Sequence, residues 1–224
     1  MDALIFDFDG VIVDSEPIHF EGFRQVLRTI GVELSREAYY TKYLGYDDHD
    51  CFLAAASEQG IGLDEPQLAE LIEAKTRIVQ RMLGESARAL SGAVELIRAA
   101  RGAGVPLAIC SGALRDEIEL ASRAVGVREC FDVIVPAEDV AKGKPDPEGY
   151  LLARQRLTET TGRELSAERC VVVEDSPWGI QAAHAAGMKC LAVASSYPAD
   201  ALNQAECVVA SLSDTNLARI EKLL

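Results

Sequence analysis

The sequence predicts an α/β fold, a doubly wound parallel sheet with an all-helical segment inserted near its N-terminus. Short runs of Val, Ile, Leu and Ala recur along the chain without alternating with polar residues, which is typical of strands buried on both faces. Segments with helical periodicity separate these runs, and strands that alternate with helices form βαβ units. A long stretch without any strand pattern follows the first run and predicts the helical insert.

Six apolar runs predict the strands of a Rossmann-like sheet. They cover residues 3–8, 106–110, 131–135, 170–173, 191–194 and 208–210. Apolar residues at helical spacing predict helices over residues 92–103, 114–125, 147–157 and 177–187. The last helix has the clearest limits, because Ser176 is a favoured N-cap, Pro177 suits the first helical position and Gly187 is a stop signal.

The insert is predicted from helical periodicity alone, as in Phe20, Phe23, Val26 and Ile30. Its limits fall at two polar segments that carry a Pro or Gly breaker, Ser15-Glu16-Pro17 and Gly84-Glu85-Ser86. The sequence therefore predicts two domains. These are an α/β core made of residues 1–15 and 86–224, and a helical domain made of residues 16–85.

Composition restricts the classes of partner. The chain has 224 residues and a formal net charge of −14, which repels nucleic-acid backbones and anionic membrane surfaces. No apolar run approaches the roughly 18 residues that cross a bilayer, and the N-terminus has acids where a secretion signal needs bases. We expect a cytoplasmic protein with no nucleic-acid or membrane partner, as a monomer or weak homo-oligomer.

The six cysteines are scattered and form no C-x-x-C pair. This spacing fits neither a disulfide framework nor a zinc site. We expect free thiols, mostly buried, in a reducing compartment.

Polar side chains follow four of the predicted strands, where ligands bind in doubly wound sheets. Asp7 and Asp9 end the first run, and two carboxylates so close together imply a hard divalent cation such as Mg2+. Ser111 and Gly112 follow the second run and offer a hydroxyl and a backbone N–H to an anion.

The third and fourth strand ends add an ammonium and two more acids, in Lys144, Glu174 and Asp175. Each of the four signals also has a purely structural explanation, as a solvated strand end, a helix cap, a surface charge or a complement to a helix dipole. Together they predict a phosphoryl-transfer site, in which acids hold Mg2+, one acid attacks phosphorus, and a hydroxyl, an N–H and a lysine balance the charge.

This set of motifs is similar to that of the haloacid dehalogenase superfamily of phosphatases. The matching segments are Asp7-Phe8-Asp9-Gly10-Val11-Ile12-Val13-Asp14-Ser15, Ser111-Gly112, Lys144-Pro145-Asp146 and Glu174-Asp175-Ser176. The sequence most resembles the branch with an inserted helical cap, which includes β-phosphoglucomutase and the phosphoglycolate and sugar-phosphate phosphatases. The resemblance implies a doubly wound core and a helical cap that closes over the site.

The resemblance also implies a role for each strand-end residue. Asp7 would be the nucleophile that forms an aspartyl-phosphate, and Asp9 the general acid and base. Ser111, Gly112 and Lys144 would hold the phosphoryl group. Mg2+ would lie on the Asp7 carboxylate, the Asp9 backbone carbonyl and Asp175, with Glu174 in support through water. The dehalogenases and phosphonate hydrolases of the superfamily lack the second acid, so Asp9 argues against both activities.

The cap is less informative. His19 stands where β-phosphoglucomutase also has a histidine, and it is either a substrate-binding, acid–base or hinge residue or a polar residue at an exposed helix start. The loop at residues 43–50 either caps a helix or contacts substrate or a second cation. The mutase has an arginine in this loop, whereas this chain has Asp47-Asp48-His49. Acids there would repel a bisphosphate, although Lys42, Lys75 and Arg77 could compensate.

The sequence thus predicts a Mg2+-dependent phosphatase for a small phosphorylated metabolite, such as a sugar phosphate. A β-phosphoglucomutase-like phosphomutase is the first alternative. The second is a non-catalytic module that holds Mg2+ and a phosphoryl group as a signal, in the manner of a response-regulator receiver. Receivers, however, are about half as long and have no helical insert.

Overall fold

The computed structural model describes the whole chain, Met1 to Leu224, as two compact units. One unit consists of Met1–Asp14 and Ala87–Leu224, and the other of Ser15–Ser86. We call them the core unit and the helical unit and describe each by itself. None of the helices combines the length and the apolar character needed to cross a membrane.

The core unit is built on one six-stranded sheet. Its strands are β1 (Ala3–Phe6), β2 (Leu107–Cys110), β3 (Val133–Val135), β4 (Cys170–Glu174), β5 (Lys189–Val193) and β6 (Cys207–Val209). All neighbours pair in parallel in the order β3-β2-β1-β4-β5-β6. The strand order reverses direction at β1, so the sheet is doubly wound, and the predicted fold class is confirmed.

The helical unit contains no strand and folds around its own core. Its helices are α1 (Glu16–Thr29), α2 (Arg36–Ala38), α3 (Asp48–Glu58) and α4 (Glu65–Ser86), with a π-helical turn at Tyr39–Tyr43. Phe23 of α1 and Phe52 of α3 pack edge to face, with ring centroids 5.1 Å apart, which adds to the burial of both rings. The N-cap of α3 is Asp47, whose carboxylate accepts a hydrogen bond from the Asp50 amide at 2.8 Å.

Helices cover both faces of the sheet in the core unit. They are α5 (Ala93–Gly102), α6 (Arg115–Ala124), α7 (Glu148–Thr161), α8 (Pro177–Ala185) and α9 (Leu217–Glu221). The start predicted for α8 is confirmed, since the Ser176 hydroxyl accepts a hydrogen bond from the Gly179 amide and Pro177 begins the helix. Fully buried side chains such as Phe6, Val172 and Ile180 fill the layers between sheet and helices, each contributing about 1.5–3 kcal/mol relative to exposure.

The limits of all six strands differ from the sequence prediction by one or two residues, and the backbone explains the differences at β1 and β5. β1 ends at Phe6 rather than at residue 8, because the Phe8 carbonyl accepts hydrogen bonds from the amides of Val11, Ile12 and Val13 and so closes a turn. β5 begins at Lys189 rather than at residue 191, because the backbone of this polar residue already pairs with β4. The six cysteines are free thiols, and four of them are buried, namely Cys51, Cys110, Cys170 and Cys190.

Candidate active site

The site lies at the carboxyl edge of the sheet in the core unit. Because all strands are parallel, the residues that follow β1, β2 and β4 meet at one edge. Asp7 follows β1 directly, Ser111 follows β2, and Glu174 is the last residue of β4. Lys144 reaches this edge from the loop that precedes α7.

Lys144 connects two of the acids. Its Nζ lies 2.6 Å from Asp7 Oδ1 and 2.6 Å from Glu174 Oε1. The same atom lies 5.1 Å from the ring centroid of Tyr150, which adds a cation–π contact. Burial alone lowers the pKa of the Lys144 ammonium, but the two carboxylates outweigh it and raise that pKa well above its usual value. Lys144 is therefore a fixed positive charge beside Asp7.

Three buried carboxylates surround this ammonium, those of Asp7, Glu174 and Asp175, with oxygens that lie within 4.8 Å of one another. Burial raises the pKa of Asp7 well above its usual value, and repulsion by Glu174 and Asp175 adds to the rise. Burial and the Glu174 carboxylate raise the pKa of Asp175 to about 7. Three acids against one ammonium leave two surplus negative charges, and a divalent cation that takes hard oxygen ligands could balance them.

Glu174 already has a full set of hydrogen-bond donors. Its Oε1 accepts from Lys144 and from the Tyr150 hydroxyl, and its Oε2 accepts from the amides of Asp175 and Ser176 and from the Ser176 hydroxyl. Burial alone raises the pKa of Glu174, but Lys144 and these hydrogen bonds outweigh it and lower that pKa. Glu174 is therefore a permanent anion whose oxygens are occupied.

Asp9 and Ser111 form the second part of the edge. The Ser111 hydroxyl lies 3.5 Å from Asp9 Oδ2 and accepts a hydrogen bond from the Ala113 amide at 3.0 Å. The turn that carries Asp9 begins two residues after β1, so Asp9 belongs to a turn and not to the extended strand that the sequence predicts. Gly112 faces open space, since no atom lies within 4 Å of the position that a Cβ would take.

The loop after β5 also reaches the site, and the sequence analysis missed it. Ser195 donates a hydrogen bond to the Gly10 carbonyl, and Ser196 donates one to Asp175. Gly10 has a φ of +73°, and a Cβ there would lie 1.9 Å from Asp175 Oδ2, so only glycine fits. Polar residues that directly follow a buried strand mark the ligand-binding edge of such a sheet. This strand-end rule also selects both serines, because they directly follow the fifth apolar run. No sequence signal marks Tyr150.

His19 belongs to the helical unit, where it contacts the buried Lys75. Its Nδ1 lies 3.0 Å from Lys75 Nζ, and the same ammonium lies 2.7 Å from Asp48 Oδ1. Burial, with a smaller effect of Lys75, lowers the pKa of His19 to about 3, so the imidazole is neutral and accepts the hydrogen bond at Nδ1. The role predicted for His19 in substrate binding stays a prediction.

The loop at residues 43–50 has a structural role through Asp47, the cap of α3. Asp47, His49 and Asp50 bring ligand atoms within 4.8 Å of one another, and all three residues are exposed or half-exposed. His49 Nδ1 lies 3.2 Å from Asp50 and Nε2 lies 3.8 Å from Glu65. Of the two explanations offered for this loop, the capping one is confirmed, and contact with a substrate or a second cation stays a prediction.

Comparison with known proteins gives matches over most of the chain. The family profile described as "Hydrolase: haloacid dehalogenase-like hydrolase" matches residues 1–187. The phosphorylated carbohydrates phosphatase of Thermotoga maritima is 31% identical over 199 residues, which are 84% of this chain and 83% of that protein. The chloroplastic 5-amino-6-(5-phospho-D-ribitylamino)uracil phosphatase of Arabidopsis thaliana is 36% identical over 160 residues, 71% of this chain but only 41% of that protein.

A solved structure extends this similarity to three dimensions. CbbY from Rhodobacter sphaeroides in complex with phosphate superposes with a TM-score of 0.81 at 28% identity. The superposition covers 97% of this chain and 98% of that one. The similarity therefore extends over nearly the whole chain.

Proposed function

Because the chain belongs to the haloacid dehalogenase-like hydrolases, we propose that it is a Mg2+-dependent phosphatase that acts on sugar phosphates or similar small phosphomonoesters through an aspartyl-phosphate. The family predicted from the motifs is confirmed. The observation that carries the proposal is the contact between Lys144 and Asp7, 2.6 Å apart. This contact places a positive charge beside the nucleophile, where it can balance the negative charge of a transferring phosphoryl group. The names of the relatives support phosphorylated carbohydrates as the substrate class.

In the first half-reaction, an oxygen of Asp7 attacks phosphorus and the bond to the leaving alcohol breaks. Asp9 gives its proton to the departing oxygen. Lys144 donates to an oxygen of the phosphoryl group, because its ammonium already lies beside the attacking Asp7. The hydroxyl of Ser111 and the open backbone at Gly112 offer further donors at the same edge of the sheet. The product is an aspartyl-phosphate on Asp7 and a neutral alcohol.

In the second half-reaction, Asp9 accepts a proton from water and the resulting hydroxide attacks phosphorus. The acyl-phosphate bond breaks, inorganic phosphate leaves, and the Asp7 carboxylate is restored. A bound Mg2+ would polarise a phosphoryl oxygen and balance the surplus negative charge. Asp7 and Asp175 would hold it with the Asp9 backbone carbonyl, whereas the occupied oxygens of Glu174 suit an orienting role.

Charges in the helical unit favour hydrolysis over the mutase reaction. A mutase must dock a second phosphate, and the sequence suggested Lys42, Lys75 and Arg77 as the cations that could compensate for the acids of the loop. Lys42 pairs with Glu58 at 2.8 Å and Lys75 with Asp48 at 2.7 Å. Arg77 pairs with Glu73. Because each cation is already paired with an acid, none offers an uncompensated positive charge to a bisphosphate.

The test is release of inorganic phosphate from a panel of sugar phosphates, other phosphomonoesters and phosphonates, with Mg2+ and with chelator. We expect Mg2+-dependent release from phosphomonoesters by the natural protein and none from D7N. D200N changes an exposed aspartate remote in sequence from the motifs and serves as the control that should keep full activity. No release, combined with bisphosphate-activated conversion of a hexose 1-phosphate, would establish the mutase instead.

A further inference from the structure

Tyr150 is a buried side chain to which neither the motifs nor the proposed reaction assign a role. It lies in the first turn of α7, six residues after Lys144, with 1% of its surface exposed. Its hydroxyl donates a hydrogen bond of 2.8 Å to Glu174 Oε1. Its ring lies under the Lys144 ammonium, with 5.1 Å between Nζ and the ring centroid. Tyr150 thus contacts both members of the Lys144–Glu174 ion pair.

The Glu174 carboxylate is held in one orientation by its hydrogen bonds and by close packing. Three donors fix Oε2, two backbone amides and the Ser176 hydroxyl, each at 2.9 Å. A Cβ at Gly179 would lie 1.7 Å from Oε1, so the first turn of α8 packs directly against the carboxylate. The carboxylate is therefore unable to rotate. Its Oε1 accepts hydrogen bonds from two donors, Lys144 and the Tyr150 hydroxyl.

Because the two donors share Oε1, the hydrogen bond from Tyr150 affects how strongly Glu174 attracts Lys144. The ammonium is 2.6 Å from both Glu174 and Asp7, so its position is a balance between two carboxylates. A hydroxyl that donates to Oε1 withdraws part of the negative charge from that oxygen and weakens its pull on the ammonium. Without the hydroxyl, Glu174 would hold the ammonium more strongly, and the contact of Lys144 with Asp7, where a phosphoryl group meets it, would weaken.

We propose that Tyr150 is a positioning residue that, through its hydroxyl on Glu174, holds the Lys144 ammonium on Asp7 for phosphoryl binding. The proposal rests on the proposed phosphatase function, because it assigns Tyr150 a role in binding the phosphoryl group. The contact itself exists independently of any substrate. A purely structural role, in which the hydroxyl only satisfies a buried carboxylate, predicts lower stability with unchanged affinity for phosphate.

Affinity for inorganic phosphate distinguishes these two roles. We expect Y150F to raise the Kd for inorganic phosphate in Mg2+ buffer about tenfold by calorimetry, the size of one net hydrogen bond to a charged group. Y39F is the matched control, because Tyr39 is also buried and donates to a carboxylate, that of Glu16, within the helical unit. It removes the same group and should leave the Kd unchanged. An unchanged Kd in Y150F overturns the proposal.

A double-mutant cycle shows whether Tyr150 acts through Glu174. If it does, Y150F has little further effect on the phosphate Kd in a protein that already carries E174Q, because the charge it moderates is gone. If the two effects on the Kd simply multiply, Tyr150 does not act through Glu174 and the proposal is wrong. If Y150F proves unstable, E174Q alone tests the same argument: it removes the pull on Lys144 and should leave the phosphate Kd no higher than in the natural protein, and a higher Kd would contradict the proposal.

The outcomes separate this inference from the proposed function. If the natural protein hydrolyses phosphomonoesters and Y150F retains the same Kd and kcat/KM, the function stands and the role of Tyr150 is refuted. If no substrate is hydrolysed but phosphate binds about tenfold more weakly to Y150F, the phosphatase function fails while Tyr150 still positions Lys144. If the natural protein binds no phosphate, there is no ligand to position and the inference falls.

Discussion

Each unit holds one lysine whose side chain is largely shielded from solvent, Lys144 with 20% exposed and Lys75 with 4%, and their surroundings are similar with one difference. Lys144 contacts two carboxylates and lies over the ring of Tyr150. Lys75 contacts one carboxylate, that of Asp48, and a neutral imidazole, that of His19. The Lys75 ammonium lies over an aromatic ring as well, 4.6 Å from the centroid of Phe23. The second partner is thus charged in the core unit and neutral in the helical unit.

This difference separates a site that needs a ligand from one that does not. Around Lys144, burial and then repulsion between the neighbouring acids raise the pKa of both Asp7 and Asp175, as expected of anions that lack a counterion. Around Lys75, one ammonium meets one carboxylate and the charges balance without a further ion. Buried lysine alone is therefore no sign of function. The sum of the charges around it distinguishes the two sites.

The largest effect is expected from removing the ammonium in the core unit. K144M leaves Asp7 and Glu174 without their shared cation and removes the donor to the phosphoryl group, so we expect kcat/KM to fall by about 1000-fold or more. K142M is the matched control, because Lys142 is two residues away and its side chain is 73% exposed. A loss of less than about tenfold in K144M would contradict the role of Lys144.

The second effect is the pH dependence of Mg2+ binding. The pKa of Asp175 is raised to about 7, so this carboxylate holds a proton below that pH when no cation is bound. Mg2+ must displace this proton, and its affinity should therefore rise as pH increases; the part due to the Asp175 proton should amount to about tenfold per pH unit and level off above pH 7. Calorimetry at pH 5.5, 6.5 and 7.5 measures this slope. A flat profile would show that the acids are already ionised.

The strand-end rule explains how much of this site the sequence could reveal. It found Asp7, Ser111, Lys144 and Asp175, because parallel strands buried on both faces read as continuous apolar runs and polar residues at their ends stand out. It could not find Tyr150, whose hydroxyl reaches Glu174 from within a helix that in sequence resembles any other amphipathic segment. That contact exists only in the folded chain.

Neither the exact strand limits nor the charge pairs could be predicted from the sequence, and the reasons are related. β1 ends at Phe6 because one backbone carbonyl, that of Phe8, accepts from three amides, and hydropathy does not report backbone turns. Lys75 and Asp48 are 27 residues apart, so their pairing depends on how α3 and α4 pack. Periodicity predicts that both segments are helical, but it does not predict which of their charged residues will meet.

The third effect concerns the stability of the helical unit. K75M leaves Asp48 without its partner, and we expect the free energy of unfolding to fall by about 2 kcal/mol, less than for a fully buried pair because the Asp48 side chain is 30% exposed. K75M with D48L should recover most of this loss, since two apolar groups replace a balanced pair. Urea unfolding measures both variants. Failure of the second change to restore stability would show that the loss comes mainly from the contact of Lys75 with His19 and not from its pair with Asp48.

The last prediction tests the neutral imidazole. The pKa of His19 is lowered to about 3 by burial and by Lys75, whereas the unfolded chain takes up a proton near pH 6.5. The stability that His19 provides is thus present above pH 6.5 and is lost as pH falls toward 3, by at most about 1.4 kcal/mol per pH unit. H19N keeps an acceptor for Lys75 but does not titrate, so its thermal midpoint should fall less than that of the natural protein between pH 6.5 and 4.5.

His49 provides the control of opposite sign for that measurement. The hydrogen bond to Asp50 raises the pKa of this exposed histidine, so its contribution to stability is present below pH 6.5 and is lost as pH rises through the folded pKa. H49N should therefore make the thermal midpoint fall slightly more on acidification, while H19N makes it fall less. Equal shifts in both variants would mean that His19 is not held neutral, and the contrast between the two buried lysines would lose its basis.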